Sequence, residues 1–322
     1  MDIYSLSQKI HFQIQKANNV LLIAHQNPDA DALGSLMAFS QWLKELGKNH
    51  TKFCLNQPVD NLNWILNYEP LVTDFKKLVD NNYDLIIILD SGDLKYAGVE
   101  NILDTIPSPF IINIDHHTTN LNFGHINVVD PLAVSTTEVI YRIFKILRLK
   151  IDTKTASALL AGIIGDTYNF TNPNTNYQSL ATASELLLVG ARLDQVSDSI
   201  FKNKTVETLK IWGEILVRLS YNSKLKVVST VVTKDDLKDN LSLSDVTEGV
   251  ANFLNNLAGV KAALILQQQG SDLVKGSFRT NDDLIDVSKL AKILGGGGHK
   301  KAAGFTINGK LTQTKQGYWQ IV

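Results

Sequence analysis

The chain has 322 residues and a single cysteine, Cys54, so it cannot form an internal disulfide; this fits a reducing cytoplasm. No apolar run approaches the ~20 residues of a membrane span. The N-terminal stretch MDIYSLSQKIHFQIQ lacks the apolar core of a signal peptide. Internal repeats and low-complexity tracts are also missing. Charge of neither sign dominates: 31 Lys/Arg against 32 Asp/Glu leave a net charge of −1. That balance conceals an asymmetry, because residues 222–322 carry 13 Lys/Arg and 9 Asp/Glu, a net of +4. Even this half is too weakly basic for tight binding to long duplex nucleic acid, and a small anionic substrate suits the contrast better. Hydrophobic residues at 44% and charged residues at 20% are ordinary for a soluble globular protein, and the length allows two domains.

Against these absences stand four short acidic motifs in the first half. They are His25-Gln26-Asn27-Pro28-Asp29-Ala30-Asp31, Asp90-Ser91-Gly92-Asp93, Asp115-His116-His117 and Gly165-Asp166-Thr167. The first three follow apolar runs that read as strands: VLLIA (20–24), LIIIL (85–89) and FIINI (110–114). A carboxylate at the end of a buried strand is costly unless its charge is compensated. Three strand ends loaded with Asp and His point to one shared compensator, a metal cluster. In open parallel sheets the site lies beyond the carboxyl ends of the strands.

The first half alternates strands and helices, the pattern of a parallel α/β sheet. A helix is expected at about 5–18, then a strand at 20–25, an amphipathic helix over 32–47 stopped by Gly47, and strands at 50–55, 84–90 and 110–115 with a helix near 99–106. Residues 135–219 read as mostly helical. After the turn-like Tyr221-Asn222-Ser223 come a strand at 225–233, a helix at 246–258, strands at 262–268 and 273–280, a helix at 286–294 and a strand at 303–308. The expected division is a metal-binding domain over 1–190, a helical linker over 191–221 and a smaller α/β domain over 222–322, with the active site in the cleft between the domains.

Each motif also has a plainer reading. Asp29 or Asp31 could cap the helix that follows, and Asp93 could cap a short helix after a simple turn. Asp166 could sit in a surface loop. Adjacent histidines after a charged strand end have little structural use, however. A carboxylate at the C-terminal end of the apolar LLAGIIG helix opposes the helix dipole unless a cation is near. All the plain readings would have to hold together. Nitrogen and oxygen donors without thiolate suit Mn²⁺, Mg²⁺ or Co²⁺ better than structural zinc. Two such ions about 3.5–4 Å apart acidify a shared water and draw in a phosphoryl oxygen, which makes phosphoester hydrolysis the inferred reaction class.

In order and spacing these motifs resemble those of the DHH phosphoesterase superfamily. HQNPDAD, DSGD, DHHTTN (115–120) and GIIGDTYNF (162–170) are similar to its four motifs, and GGGGHKKAAGF (295–305) to the glycine-rich signature of the DHHA1 domain. The two-domain plan is similar to the oligoribonuclease/pAp phosphatase subfamily, the nanoRNases. Ala30 departs from the glycine of many relatives and touches turn geometry only. The resemblance implies that His25 and Asp29 hold one metal, Asp31 the other, that Asp90 bridges, and that His116 and Asp166 complete the second site. It further implies that His117 faces the phosphate, that Asp93 and Asp115 orient ligands, and that Asn120 contacts the phosphate.

In the second half, Gly295 to Gly298 give bare backbone that can approach a phosphate, and Ala302-Ala303-Gly304 continue it. The plainer reading is a flexible loop closing a helix at Leu294. His299, Lys300 and Lys301 lie in a stretch, 287–322, without acidic residues. Arg279 at a strand end suits a bidentate phosphate grip, though it could be a simple surface residue. Gly297, Gly298, His299, Gly304, Arg279 and Asn120 are therefore the candidate substrate contacts. Trp42, Trp64 and Trp212 read as core or interface, and His11, His50 and His125 as structural or surface residues. The leading expectation is a two-metal phosphoesterase, most suitably with Mn²⁺, acting on short RNA and on pAp, with homodimerisation possible. The alternatives are a phosphodiesterase for pApA or cyclic di-AMP, or a non-catalytic nucleotide sensor. Family II pyrophosphatase and RecJ-like exonuclease activities fit the C-terminal signature and the length less well.

Overall fold

The structure is a computed structural model that describes residues 2–79, 81–100, 103, 106, 109–201, 205–236, 249–251, 253–255, 257–282, 284–298 and 300–322. It divides into two compact units, Met1–Asn203 and Lys204–Val322.

The first unit is built on five parallel strands in the order β2-β1-β3-β4-β5. They are β1 (Asn19–Ile23), β2 (Asn49–Phe53), β3 (Leu85–Leu89), β4 (Phe110–Asp115) and β5 (Ile126–Val129). The parallel α/β sheet expected from the sequence is present, and it gains β5, whose four residues INVV are too short to stand out beside polar neighbours. All five residues of β3 are buried. That follows from a parallel sheet covered on both faces, where a strand reads as a continuous apolar run. Alternate residues serve opposite faces: Val20, Leu22, Ile87 and Leu89 join the larger core, and Leu21, Ile23, Ile86 and Ile88 the smaller one.

The larger core is covered by α1 (Ile3–Lys16), α2 (Ala30–Glu45), α4 (Thr136–Leu147) and α5 (Thr153–Asp166); α3 (Lys76–Val79), α6 (Tyr177–Val189) and α7 (Leu193–Phe201) complete the unit. Helix α2 buries 13 of its 16 residues, so it is an internal helix and not an amphipathic surface one. It packs closely on α5. A Cβ on Gly34 would meet the Ala158 carbonyl oxygen at 2.4 Å, so only glycine permits that approach. Most of the expected 99–106 helix (101, 102, 104 and 105) lies outside the described residues. Among the described residues no helix is long and apolar enough to cross a membrane.

The second unit begins with α8 (Val206–Val217) and holds a mixed six-stranded sheet in the order β10-β11-β9-β8-β7-β6. The strands are β6 (Ser220–Asn222), β7 (Val227–Val232), β8 (Ala262–Gln269), β9 (Leu273–Arg279), β10 (Gly297–Gly298) and β11 (Ala302–Asn308). A helix α9 (Val287–Ile293) and a separate hairpin, β12 (Leu311–Gln313) with β13 (Trp319–Ile321), complete it. Tyr221 and Asn222, expected as a break, are strand residues paired antiparallel with Val228 and Val227. Of the expected 246–258 helix, the described residues 249–251 and 253–255 are helical, whereas 257 and 258 are not, so the helix ends before them.

A candidate metal centre at the strand ends

The carboxyl ends of β1, β3 and β4 converge with the first turn of α2 and the last of α5. His25 follows β1, is 3% exposed and stacks on Tyr96 with ring centroids 5.0 Å apart. Its Nε2 lies 3.5 Å from Asp90 Oδ2 and 3.6 Å from Asp29 Oδ1. Asp29 also caps α2, its Oδ1 accepting from Asp31 N at 3.0 Å and Ala32 N at 3.1 Å. The capping role and a ligand role thus coexist in one side chain. Asp90 follows β3 with φ 55°, a left-handed backbone that Asp tolerates better than most residues. His116 Nε2 lies 3.2 Å from Asp166 Oδ2 and 3.7 Å from Asp90 Oδ1.

Three donor groups result: His25–Asp29–Asp90, Asp90–His116–His117 and Asp31–His116–Asp166, each with its ligand atoms within 4.8 Å of one another. All six residues expected as metal ligands are brought together. Asp90 belongs to two groups and presents Oδ2 to His25 and Oδ1 to His116 and His117.

The electrostatics match a cation site. Burial, with the charges of Asp90 and Asp29, drives the Asp31 carboxyl well above the usual range. Burial and the charges of Asp31, Asp29, Asp90 and Asp115 do the same to Asp166. Burial also pushes Asp90 up, but hydrogen bonding to His25 and the charges of His25, His116 and His117 outweigh it and hold Asp90 well below that range. Burial pulls His25 and His117 down, and their carboxylate neighbours overcome it, taking them to about 10 and about 9. Among the described residues no Lys or Arg pairs with Asp29, Asp31, Asp90 or Asp166; the ion-pair partners of Asp29, Asp90 and Asp166 are histidines. A divalent cation fits this all-oxygen-and-nitrogen donor set.

The remaining expected residues of this unit surround the centre. Asp115 is fully buried, and its Oδ1 accepts from His117 Nδ1 at 2.7 Å and from His116 N at 2.8 Å. Asn120, expected against the phosphate, instead spends its amide protons internally: Nδ2 donates to Asp115 Oδ2 at 2.6 Å and Asn113 Oδ1 at 2.8 Å. Its Oδ1 accepts from Asn122 N at 2.7 Å, so the geometry gives it a strut's place behind Asp115. Asp93 does not reach the donor groups. Its Oδ1 accepts from Tyr96 N at 2.6 Å and so fixes the turn whose ring covers His25.

In the second unit, Gly297 and Gly298 pair with Gly304 and Ala303, and Ala302 pairs with Arg279. The glycines therefore form an edge strand, not a flexible loop. A Cβ on Gly296 would meet the Gly304 carbonyl oxygen at 2.1 Å, and one on Gly298 the Ala302 carbonyl oxygen at 2.6 Å. Close strand packing explains both. Gly297 has open space at its Cβ position. Among the described residues Arg279 has no carboxylate partner; its Nη1 donates to the Phe278 carbonyl oxygen at 3.1 Å. His299 lies outside the described residues.

Residues 19–163 match the N-terminal domain of the DHH family, and residues 226–317 match the DHHA1 domain. The chain belongs to the DHH family. It is 27% identical over 290 residues to the bifunctional oligoribonuclease and PAP phosphatase NrnA of Thermus thermophilus, covering 90% of this chain and 84% of that protein. Its identity to the Bacillus subtilis protein of the same name is 28% over 298 residues, covering 90% of each. The crystal structure of an exopolyphosphatase-related protein from Bacteroides fragilis superposes with a TM-score of 0.82 at 22% identity, over 97% of this chain and 92% of that one, and has the same fold. This DHH-family chain is a hydrolase of phosphoester bonds.

Sequence reasoning passed over two residues of this DHH domain, Thr136 and Thr137. They open α4 and bond directly to Asp31 and Asp90. The Ser-x-x-Glu pattern of Ser135 to Glu138 marks a helix start. Nothing in it points to a partner 105 residues away.

Proposed function

We propose that the protein hydrolyses di- to pentaribonucleotides to mononucleotides and removes the 3′-phosphate of pAp to give AMP, with two divalent cations, most suitably Mn²⁺. The observation that carries the metal reading is the division of Asp90: one oxygen faces His25 and the other faces His116 and His117. The substrate reading rests on the names of relatives that match 90% of this chain. His25 and Asp29 would hold one cation, Asp31, His116 and Asp166 the other, with Asp90 shared. Bound there, divalent cations supply an acidified water and neutralise phosphoryl charge.

The chain's own groups do the rest. Asp115 holds the Nδ1 proton of His117, which leaves Nε2 free to exchange a proton with the phosphoester. Asn120 braces Asp115 from behind. Arg279 and the N–H groups of the Gly297–Gly298 edge offer an anion grip in the DHHA1 domain. The single, buried Cys54 suits a reducing cytoplasm.

Turnover of a dinucleotide, a pentanucleotide, a long RNA of two dozen nucleotides, pAp, pApA and cyclic di-AMP, each with Mn²⁺, tests this. The short RNAs and pAp should be hydrolysed fastest. A preference for the long RNA, or turnover of cyclic di-AMP alone, would overturn the substrate reading.

A further inference from the structure

The carboxylate of Asp31 is 1% exposed and is held almost entirely by the first turn of α4. Its Oδ2 accepts from Thr136 N at 2.7 Å. Its Oδ1 accepts from Thr137 N at 2.9 Å and from Thr137 Oγ1 at 2.6 Å. The neighbouring hydroxyl, Thr136 Oγ1, donates to Asp90 Oδ1 at 2.9 Å. Ser135 Oγ lies 2.9 Å from Thr137 Oγ1 and accepts from Glu138 N at 3.1 Å, which fixes the turn itself. Gly162 of α5 leaves room for the arrangement, since a Cβ there would come within 2.3 Å of Thr137 Oγ1 and 2.4 Å of Asp31 Oδ1.

A carboxylate offers about four lone-pair directions. Three on Asp31 are already occupied by α4, which leaves one, on Oδ2. We propose that Thr136 and Thr137 are positioning residues that restrict Asp31 to a single-oxygen metal ligand and fix Asp90, and so set both the affinity of the site and its preference for small cations over Ca²⁺. The inference rests on the metal-centre reading given above and adds which residues tune it. Small ions such as Mn²⁺ and Mg²⁺ accept single-oxygen carboxylates, whereas Ca²⁺ takes six to eight oxygens and often both from one carboxylate. Removing the Thr137 hydroxyl would free one direction on Oδ1 and loosen that restriction. Partners that orient ligands in this way are typically worth ~10–100-fold in metal affinity.

The test is titration of metal-stripped protein with Mn²⁺ alone and with Ca²⁺ alone, read by calorimetry, without substrate. Thr137→Val should weaken Mn²⁺ binding by ~10–100-fold and narrow the Mn²⁺-to-Ca²⁺ ratio. Thr137→Ser keeps the hydroxyl and should match wild type in both. Thr136→Val, which leaves Asp31 untouched, should weaken Mn²⁺ with little change in the ratio, and Thr137→Ala, which also removes the hydroxyl, decides the ratio should Thr137→Val fail to fold. Wild-type affinity in both valine variants, or equal damage in Thr137→Ser, would overturn the inference while leaving the metal centre standing. Failure of wild type to bind Mn²⁺ would overturn both.

Discussion

Asp115 Oδ1 lies 2.7 Å from His117 Nδ1, and this contact occupies one ring nitrogen and leaves Nε2 for the proton exchange proposed above. Asp115→Asn would present either a carbonyl oxygen or an amide nitrogen to that ring and weaken its hold on the tautomer. Turnover of a dinucleotide should fall by ~10²–10⁴-fold, the usual size of an acid–base contribution, with metal content unchanged. In a His117→Ala background the same change should do almost nothing more, because the two act as a unit. Additive losses in that double variant would separate them.

Asp90 is the residue whose loss should do most damage, because it belongs to two donor groups. Asp90→Ala should cost more than the ~100-fold that removal of an orienting partner costs in metal affinity. Metal analysis of the purified variant checks it: retention of two ions with near-normal turnover is the contrary result. Asp29 tests a different point, since it both caps α2 and faces His25. Asp29→Ala should lose metal and also about 0.5–2 kcal/mol of stability through the lost cap, whereas Asp29→Ser should recover the stability but not the metal.

Much of this centre was legible because a parallel sheet writes itself plainly. Buried strands appear as apolar runs, and the residue after each run stands at the site. LIIIL followed by Asp90 carries both facts in adjacent letters. The illegible part is what depends on distant partners. Thr136 reaches Asp31 across 105 residues, and Asn120 reaches Ser91 across 29, with no local pattern to announce either. The Gly297–Gly298 strand was hidden for another reason: with no side chains there is no alternation to read, and only the pairing with Gly304 and Ala303 defines it.

Arg218 and Asp236 form a two-pronged ion pair at 2.5 and 2.7 Å in the DHHA1 domain. Burial pushes the Asp236 carboxyl up, but the bonds from Arg218 and Thr233 outweigh it and hold it below its ordinary 3.8. A carboxyl depressed in the folded state contributes stability that is full above its unfolded value and is lost as pH falls through the folded one. Asp236→Ala should therefore lower stability by about 2–3 kcal/mol at neutral pH, less than a fully enclosed pair because Arg218 is partly exposed. The gap between wild type and variant in thermal melts should stay constant from neutrality down to roughly pH 4 and close below it. A gap that widens on acidification would contradict the ion pair's role.

Arg148 ends α4 at φ 55° and ψ 37°, a left-handed position. An L residue there pays roughly 1–2 kcal/mol that glycine does not. The greater freedom of glycine in the unfolded chain takes back about 0.4–1 kcal/mol. The difference favours the substitution, so Arg148→Gly should stabilise the first unit by about 0.5–1 kcal/mol, a rise of roughly 1–4 °C in Tm. A fall in Tm would show that the arginine side chain contributes more than its backbone strain costs.

The proposed length selection assigns metal binding to the first unit, which holds Asp90, and an anion grip to the second, which holds Arg279. A substrate that engages both must offer one phosphoester for hydrolysis and a second anionic group for Arg279. A short oligonucleotide with a 5′-phosphate does so, and pAp, with two phosphates, is the smallest that can. Longer strands gain little, because residues 222–322 exceed neutrality by only +4 and provide no extended basic track. Arg279→Ala should therefore weaken hydrolysis of dinucleotides and pAp while leaving metal binding intact. Loss of one charge-assisted contact costs about 1.5–3 kcal/mol, or roughly 10–150-fold in kcat/KM. His299→Ala should act in the same direction. A small chromogenic phosphodiester with one phosphate and no second anionic group should be much less affected, since it cannot use the grip in wild type either. Measuring kcat/KM for the dinucleotide, the pentanucleotide, the long RNA and the chromogenic ester in wild type and both variants decides the point. Equal damage to the chromogenic ester would place the effect of Arg279 in the metal centre or in folding, and a wild-type preference for the long RNA would remove the basis for length selection.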